Sequence, residues 1–140
     1  MGGGWTKVHA LRVCPAGAWR KWAWFQVAGT LHHSHDIGLW VEAMGRLANL
    51  YTPERPPAES VREPRNRYDA NAIAIMGRVL FVPGSTVQER MVLLGYVPGH
   101  LAADAPDGPL AVQVFNVATT RGEDSHQPIY MIDVELLEPG

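Results

Sequence analysis

Arg62-Glu63-Pro64-Arg65-Asn66-Arg67-Tyr68-Asp69-Ala70-Asn71-Ala72-Ile73 is the stretch on which the reading of this chain turns. Glu63 precedes a proline and is pushed toward extended backbone. Asn66, Asp69 and Asn71 are residues that bond nearby backbone and brace turns. Ala72-Ile73-Ala74-Ile75 then starts a strand abruptly. The segment reads as a braced loop that feeds a strand and offers Arg62, Arg65, Arg67 and Tyr68 around it. Arginines suit phosphates, a tyrosine ring suits a stacked base, and a rigid loop is a good place for both.

Working outward, the flanks predict a mainly β (α+β) domain. Strands are expected at Trp24–Leu31, Ser60–Glu63, Ala72–Met76, Met91–Val97, Leu110–Ala118 and Ile129–Leu137, with Val79–Val82 and Pro83-Gly84-Ser85-Thr86 as an extended connection before Met91. Gly29 is expected as a bulge or a point of close approach. Ile37, Trp40, Val41, Met44, Leu47 and Leu50 recur at helical spacing, which predicts a helix over Ile37–Tyr51. Pro53, Pro56 and Pro57 end it, and Pro98–Ala103 has room for one helical turn. About six short strands with one or two helices suggest a small barrel.

Composition agrees with one globular unit. The chain has 140 residues, 46% of them apolar and 19% charged. That supports a core and argues against global disorder. No apolar run approaches the roughly 18 residues of a membrane span. Arg12, Pro15, Arg20 and Lys21 interrupt the N-terminal apolar stretch, so no secretory leader is read there and a cytoplasmic protein is expected. A lone Cys14 excludes an internal disulfide and a cysteine zinc site. Net charge is −2, unevenly spread. Residues 1–70 carry nine of the twelve Lys/Arg and six of the fourteen Asp/Glu, a balance of +3. The rest carries three and eight, a balance of −5, so a polyanion would meet the first half more readily.

Two other groups invite a function. Trp19-Arg20-Lys21-Trp22-Ala23-Trp24 interleaves cations and rings, as a single-strand binder does. The same alternation of Trp22, Trp24 and Gln26 also fits a strand face whose rings pack in the core or at an interface. Residues 1–24 are taken as a Trp-rich extension and residues 25–140 as the domain. His32-His33-Ser34-His35-Asp36 could bind a divalent metal if a strand put His33 and His35 on one face. A third ligand would have to come from His100 or His126, so neither metal nor cofactor is expected. Asp69 with His32 or His33 could be imagined as an acid–base pair, but no nucleophile motif accompanies it, and a non-catalytic module is expected.

Arg62–Ile73 resembles the central motif of the HIRAN family, R-E-P-x-N-x-Y-D-x-N-A-I. Gly95-Tyr96-Val97-Pro98-Gly99-His100-Leu101-Ala102 is similar to the family's later G-Y-V-P-x-x-x-A element. Phe25-Gln26-Val27-Ala28-Gly29 resembles its opening strand, so the likeness spans Phe25 to Ala102 in order. The resemblance implies a β-barrel related to OB and SH3 folds. It also implies recognition of single-stranded DNA at a free 3′ end in repair or replication-fork processing. Helicase or hydrolase activities found with the family would belong to fused domains, and a helicase or nuclease becomes a possible protein partner. Tyr68 matches the position that packs on the terminal nucleotide, and Asp69 the one that accepts from its 3′-hydroxyl. Leu31, His32 and His33 stand where those members carry a basic residue and two tyrosines. Gly99 stands where they carry a lysine, with His100 beside it. Asn66, Asn71, Gly29 and Gly95 are expected to build the motif. The remaining alternative is a protein-interaction module using strand addition or the Trp-rich face.

Overall fold

The fold is described from a computed structural model, for residues 4–8, 11–121 and 127–140. Among these residues, seven strands form two antiparallel sheets. They are β1 (Thr6–Val8), β2 (Trp19–Gln26), β3 (Ala58–Arg62), β4 (Ile73–Phe81), β5 (Gln88–Tyr96), β6 (Ala111–Arg121) and β7 (Pro128–Pro139). The four-stranded sheet has the order β1-β6-β7-β2 and the three-stranded sheet β3-β4-β5. Two helices complete the fold, α1 (Ser34–Arg46) and α2 (Gly99–Asp104). The chain is therefore mainly β. Among the described residues no ladder closes the two sheets into one barrel.

Alternation builds the core. Val112, Val114 and Val117 of β6 and Ile132, Val134 and Leu136 of β7 point inward, as do Ile73, Ile75, Val92 and Leu94 from the other sheet. Helix α1 supplies Ile37, Trp40 and Met44, all fully buried on one stripe. The Trp40 indole N–H donates to the Pro57 carbonyl at 2.9 Å, which satisfies its polar edge. Gly77 makes room for that ring, since a Cβ there would stand 2.8 Å from Trp40 Cδ1.

Among the described residues, one charge lies in this interior. Arg78 on β4 is only 6% exposed. Its guanidinium donates to Glu59 of β3, to Glu89 of β5 (2.5 Å) and to the Pro56 carbonyl. The Tyr51 hydroxyl donates to the Arg78 carbonyl at 2.7 Å and accepts from the Leu80 N–H at 3.3 Å. The three strands are thus clamped by side chains as well as by their ladder.

Several expectations change here. The stretch Gly77–Met91, read as an extended connection, is mostly the two arms of a long β4–β5 hairpin, because Arg78 and Gly77 continue the ladder. The helix ends at Arg46, and Ala48–Leu50 is a separate 3-10 turn. The strand expected to reach Leu31 stops at Gln26. The boundary drawn at residue 24 falls inside β2, whose Trp19–Gln26 pair with β7. β1, from the same N-terminal stretch, pairs with β6.

The rings of β2 do not share a face. A bulge between Lys21 and Ala23 breaks the alternation at Trp22. Trp22 packs against the core, while Trp24 lies on the outer face, 63% exposed, stacked on Phe115 at 5.8 Å. Arg20 and Lys21 pair with Glu138 and Glu135 of β7. The cations of this segment are therefore engaged along the sheet.

Three phenols are held in the neutral form. Burial first of all raises the pKa of Tyr51, Tyr96 and Tyr130, and for Tyr96 the adjacent Glu63 carboxylate adds to it. The unfolded chain releases these protons at the ordinary value near 10. The fold binds more protons than the unfolded chain above that pH, so stability falls as pH rises. The expected result is a urea midpoint that is level from pH 8 to about 9.5 and lower at pH 11. An unchanged midpoint at pH 11 would contradict the burial of these groups.

Candidate nucleic-acid interface

The Glu63–Ala72 loop is closed by its own polar groups. The Glu63 N–H donates to the Ala72 carbonyl at 2.9 Å, joining the loop's two ends. The Asn66 N–H donates to the Glu63 carbonyl, and the Asn66 side-chain amide donates to Glu63 Oε1 at 3.0 Å. Asn66 Oδ1 accepts the N–H groups of both Tyr68 and Asp69 at 2.9 and 3.1 Å. Asp69 Oδ1 accepts the Asn71 N–H at 2.8 Å. Asn66 is the hub, as a side chain that mimics backbone in a turn should be. Asn71 differs from expectation: it takes part through its backbone N–H, and its exposed side chain braces nothing among the described residues.

This bracing sets what the loop displays. Tyr68 is 89% exposed, with the Arg67 guanidinium 5.6 Å from its ring centroid. Such exposure for a tyrosine, in a loop held this firmly, is a ring presented rather than packed. Arg65 is also exposed. Asp69 is half-buried and does two things. Oδ1 holds the turn, while Oδ2 has no hydrogen-bond partner among the described residues and faces α2. A Cβ on Gly99 would stand 4.0 Å from that oxygen. Gly99 thus leaves open the space above the carboxylate, and exposed His100 follows it.

Arg62 also has a structural role. Its guanidinium donates to the carbonyls of Pro106 and Gly108 (3.1 Å), tying β3 to the turn after α2. Both bonds come from one guanidinium nitrogen, and the residue stays exposed.

The third segment arrives by a sheet switch. Beyond β2, the Val27 N–H still bonds the Ile132 carbonyl of β7. One residue later Ala28 exchanges both hydrogen bonds with Tyr96 of β5, at 2.8 and 2.9 Å. A strand that changes sheets makes a corner of a two-sheet fold. The close approach lies at Gly95, where a Cβ would overlap the Ala28 carbonyl oxygen and stand 2.7 Å from Val27 Cγ1. Gly29, expected to fill that role, instead adopts φ +79° and turns the chain into a 3-10 turn, Thr30–His33. His32 and His33 therefore sit on this turn, edge to face at 6.4 Å between centroids. His33 and His35 are not on a strand face, because His35 is already in α1. No three His, Cys, Asp or Glu side chains among the described residues are grouped to hold a metal. His126 lies outside the described residues.

Tyr96 is the residue that sequence reasoning passed over. Its backbone receives Ala28, its phenol neighbours Glu63 at the loop base, and Gly99 follows three residues later. It links the three segments 28–33, 63–72 and 96–100. Its place in the Gly95-Tyr96-Val97-Pro98 element was the available signal. No helix of the described residues is long and apolar enough to cross a membrane. No protein-family model, curated protein or solved structure matches the chain.

Proposed function

We propose that this is a HIRAN-type module that grips the 3′ end of single-stranded DNA. The observation that carries the reading is the split role of Asp69: one oxygen braces the loop, the other is left open toward Gly99 beside the exposed Tyr68. A carboxylate oxygen accepts from a 3′-hydroxyl and repels a 3′-phosphate. The Tyr68 ring takes the base or sugar, and Arg65 and Arg67 meet the backbone phosphates. Leu31, His32 and His33 stand in place of the usual basic residue and two tyrosines, which makes for weaker stacking. His100 stands in for the missing lysine. In the same reading the two sheets form a half-open OB/SH3-like barrel. One seam is the Ala28–Tyr96 bridge. The other is the bond from the Ser60 hydroxyl to the Leu110 carbonyl at 2.7 Å. The module acts without catalysis, inside the cell, in DNA repair or fork processing.

Fluorescence anisotropy with short oligomers tests this. A strand ending in a 3′-hydroxyl is expected to bind more tightly than the same strand with a 3′-phosphate. Binding should weaken steeply with salt as counterions are released. Tyr68→Ala should cost about 1–3 kcal/mol of affinity if a base stacks there. Asp69→Asn should erase the preference between the two ends. Equal binding of both oligomers by the unaltered protein would sink end capture.

A second reading rests on the exposed Trp24–Phe115 stack on the outer face of the four-stranded sheet. Such rings anchor protein partners, for example a helicase or nuclease. Binding of that kind would respond little to salt and would be lost in Trp24→Ala.

A further inference from the structure

We infer that Trp5 is a second stacking platform for the same DNA strand, two or three nucleotides before its 3′ end. The inference rests on the end-capture reading above. It starts from a cleft of about 550 Å3 lined by Trp5, Gln26, Leu31, His32, Ile129 and Tyr130, with the turn backbone between Val27 and Thr30 as its floor. Trp5 is 50% exposed and Leu31 64% exposed, so an aromatic and an aliphatic surface stand open at its rim.

Three features favour a nucleic-acid strand as occupant. First, no carboxylate lines this cleft among the described residues, whereas Glu42 or Glu54 and Glu59 line the grooves beside α1 and below Trp19. Among the described residues, a polyanion meets no acidic side chain in that lining. Second, the lining groups match a base: the Trp5 indole offers a π-face, and the exposed Gln26 amide offers both a donor and an acceptor to a base edge. Lys7 follows two residues along on β1, where a backbone phosphate can be met. Third, the cleft shares residues with one of the end-binding segments. His32 belongs to both, and Ala28 in its floor is bonded to Tyr96, three residues before Gly99. At about 3.5 Å per extended residue and about 5 Å across a ladder, Gly99 and Ala28 are at most roughly 16 Å apart. As an upper bound, that separation leaves room for up to about four nucleotides at roughly 3.4 Å per stacked nucleotide, the short end of OB-type footprints.

The test uses the full chain and fluorescein-labelled oligothymidylates with a free 3′-hydroxyl, two or ten nucleotides long. Trp5→Ala is expected to weaken binding of the ten-mer by roughly five- to a hundredfold. The dimer should bind unchanged, and Trp5→Phe should restore most of the loss. Trp5 is half-exposed near the chain start, and thermal melting of each variant checks that the fold is kept. Wild-type affinity of Trp5→Ala for the ten-mer would overturn the proposal, and so would equal losses for dimer and ten-mer. The two readings fail separately. If 3′-hydroxyl and 3′-phosphate ten-mers bind alike yet Trp5→Ala still weakens both, end capture is wrong and the platform stands. If the 3′-hydroxyl preference survives and Trp5→Ala has no effect, the platform is wrong.

Discussion

Removing both carboxylates around Arg78, in a Glu59→Ala, Glu89→Ala double variant, is expected to lower the unfolding free energy by about 3 kcal/mol or somewhat more. Arg78 is buried, and its guanidinium donates to Glu59, Glu89 and the Pro56 carbonyl. With both acids gone, one carbonyl remains to balance a buried full charge. Breaking a buried pair costs about 3–5 kcal/mol because the stranded charge has lost its water. The glutamates are each 45% exposed, so water can approach the guanidinium edge once they leave. That places the cost toward the lower end. Arg78→Met should cost less, since the two acids rehydrate and the apolar chain fills the space. The Pro56 carbonyl then loses a donor, worth about 1–3 kcal/mol. Urea unfolding of the three proteins gives the order directly. A double variant as stable as the wild type would mean that Arg78 has another partner in solution.

The second large effect is expected at Gly95. Gly95→Ala puts a Cβ on the Ala28 carbonyl oxygen, at a backbone φ of +156°. The obstacle is backbone, so no rotamer relieves it. The corner must open, and the two Ala28–Tyr96 hydrogen bonds are at risk. Overpacking costs about 1–3 kcal/mol, and each lost bond about 1 kcal/mol. A loss of about 3 kcal/mol follows. The effect should extend to function, because this corner holds the 28–33 turn against Tyr96. Amide exchange at Ala28 and Tyr96 should speed up in the variant more than exchange in the β6–β7 ladder. If protection at the corner persists while β6–β7 loosens, the corner is not what Gly95 maintains. Gly29→Ala makes a useful contrast. Its φ of +79° is strained for alanine, yet nothing lies within 4 Å of the added carbon, so the cost should be about 1 kcal/mol.

Local pattern made much of this protein legible. The alternation along β6 and β7, the helical spacing of Ile37, Trp40 and Met44, and the turn chemistry of Asn66 and Asp69 are each written within a dozen residues. Each came out close to its place in the fold. Contacts between distant segments were not legible. Nothing near Arg62 announces that Pro106 and Gly108 will take its guanidinium. Nothing near Trp22 announces the bulge that sends it to the core and Trp24 to the surface. The long β4–β5 hairpin was obscured because Arg78, a charge in a strand interior, reads as a break until Glu59 and Glu89 are brought beside it.

The sequence by itself determined the loop from Glu63 to Ala72, because its bonds run between residues no more than nine apart and need no other part of the chain. Tertiary structure alone decided what surrounds that loop. It tied Arg62 to the turn after α2 and brought Gly99 to the open oxygen of Asp69. It also used Gly95 to admit Ala28, so that the histidine turn is fixed beside Tyr96. Those choices depend on which strands end up side by side, and strand pairing is set by burial of the whole core rather than by any one stretch of residues.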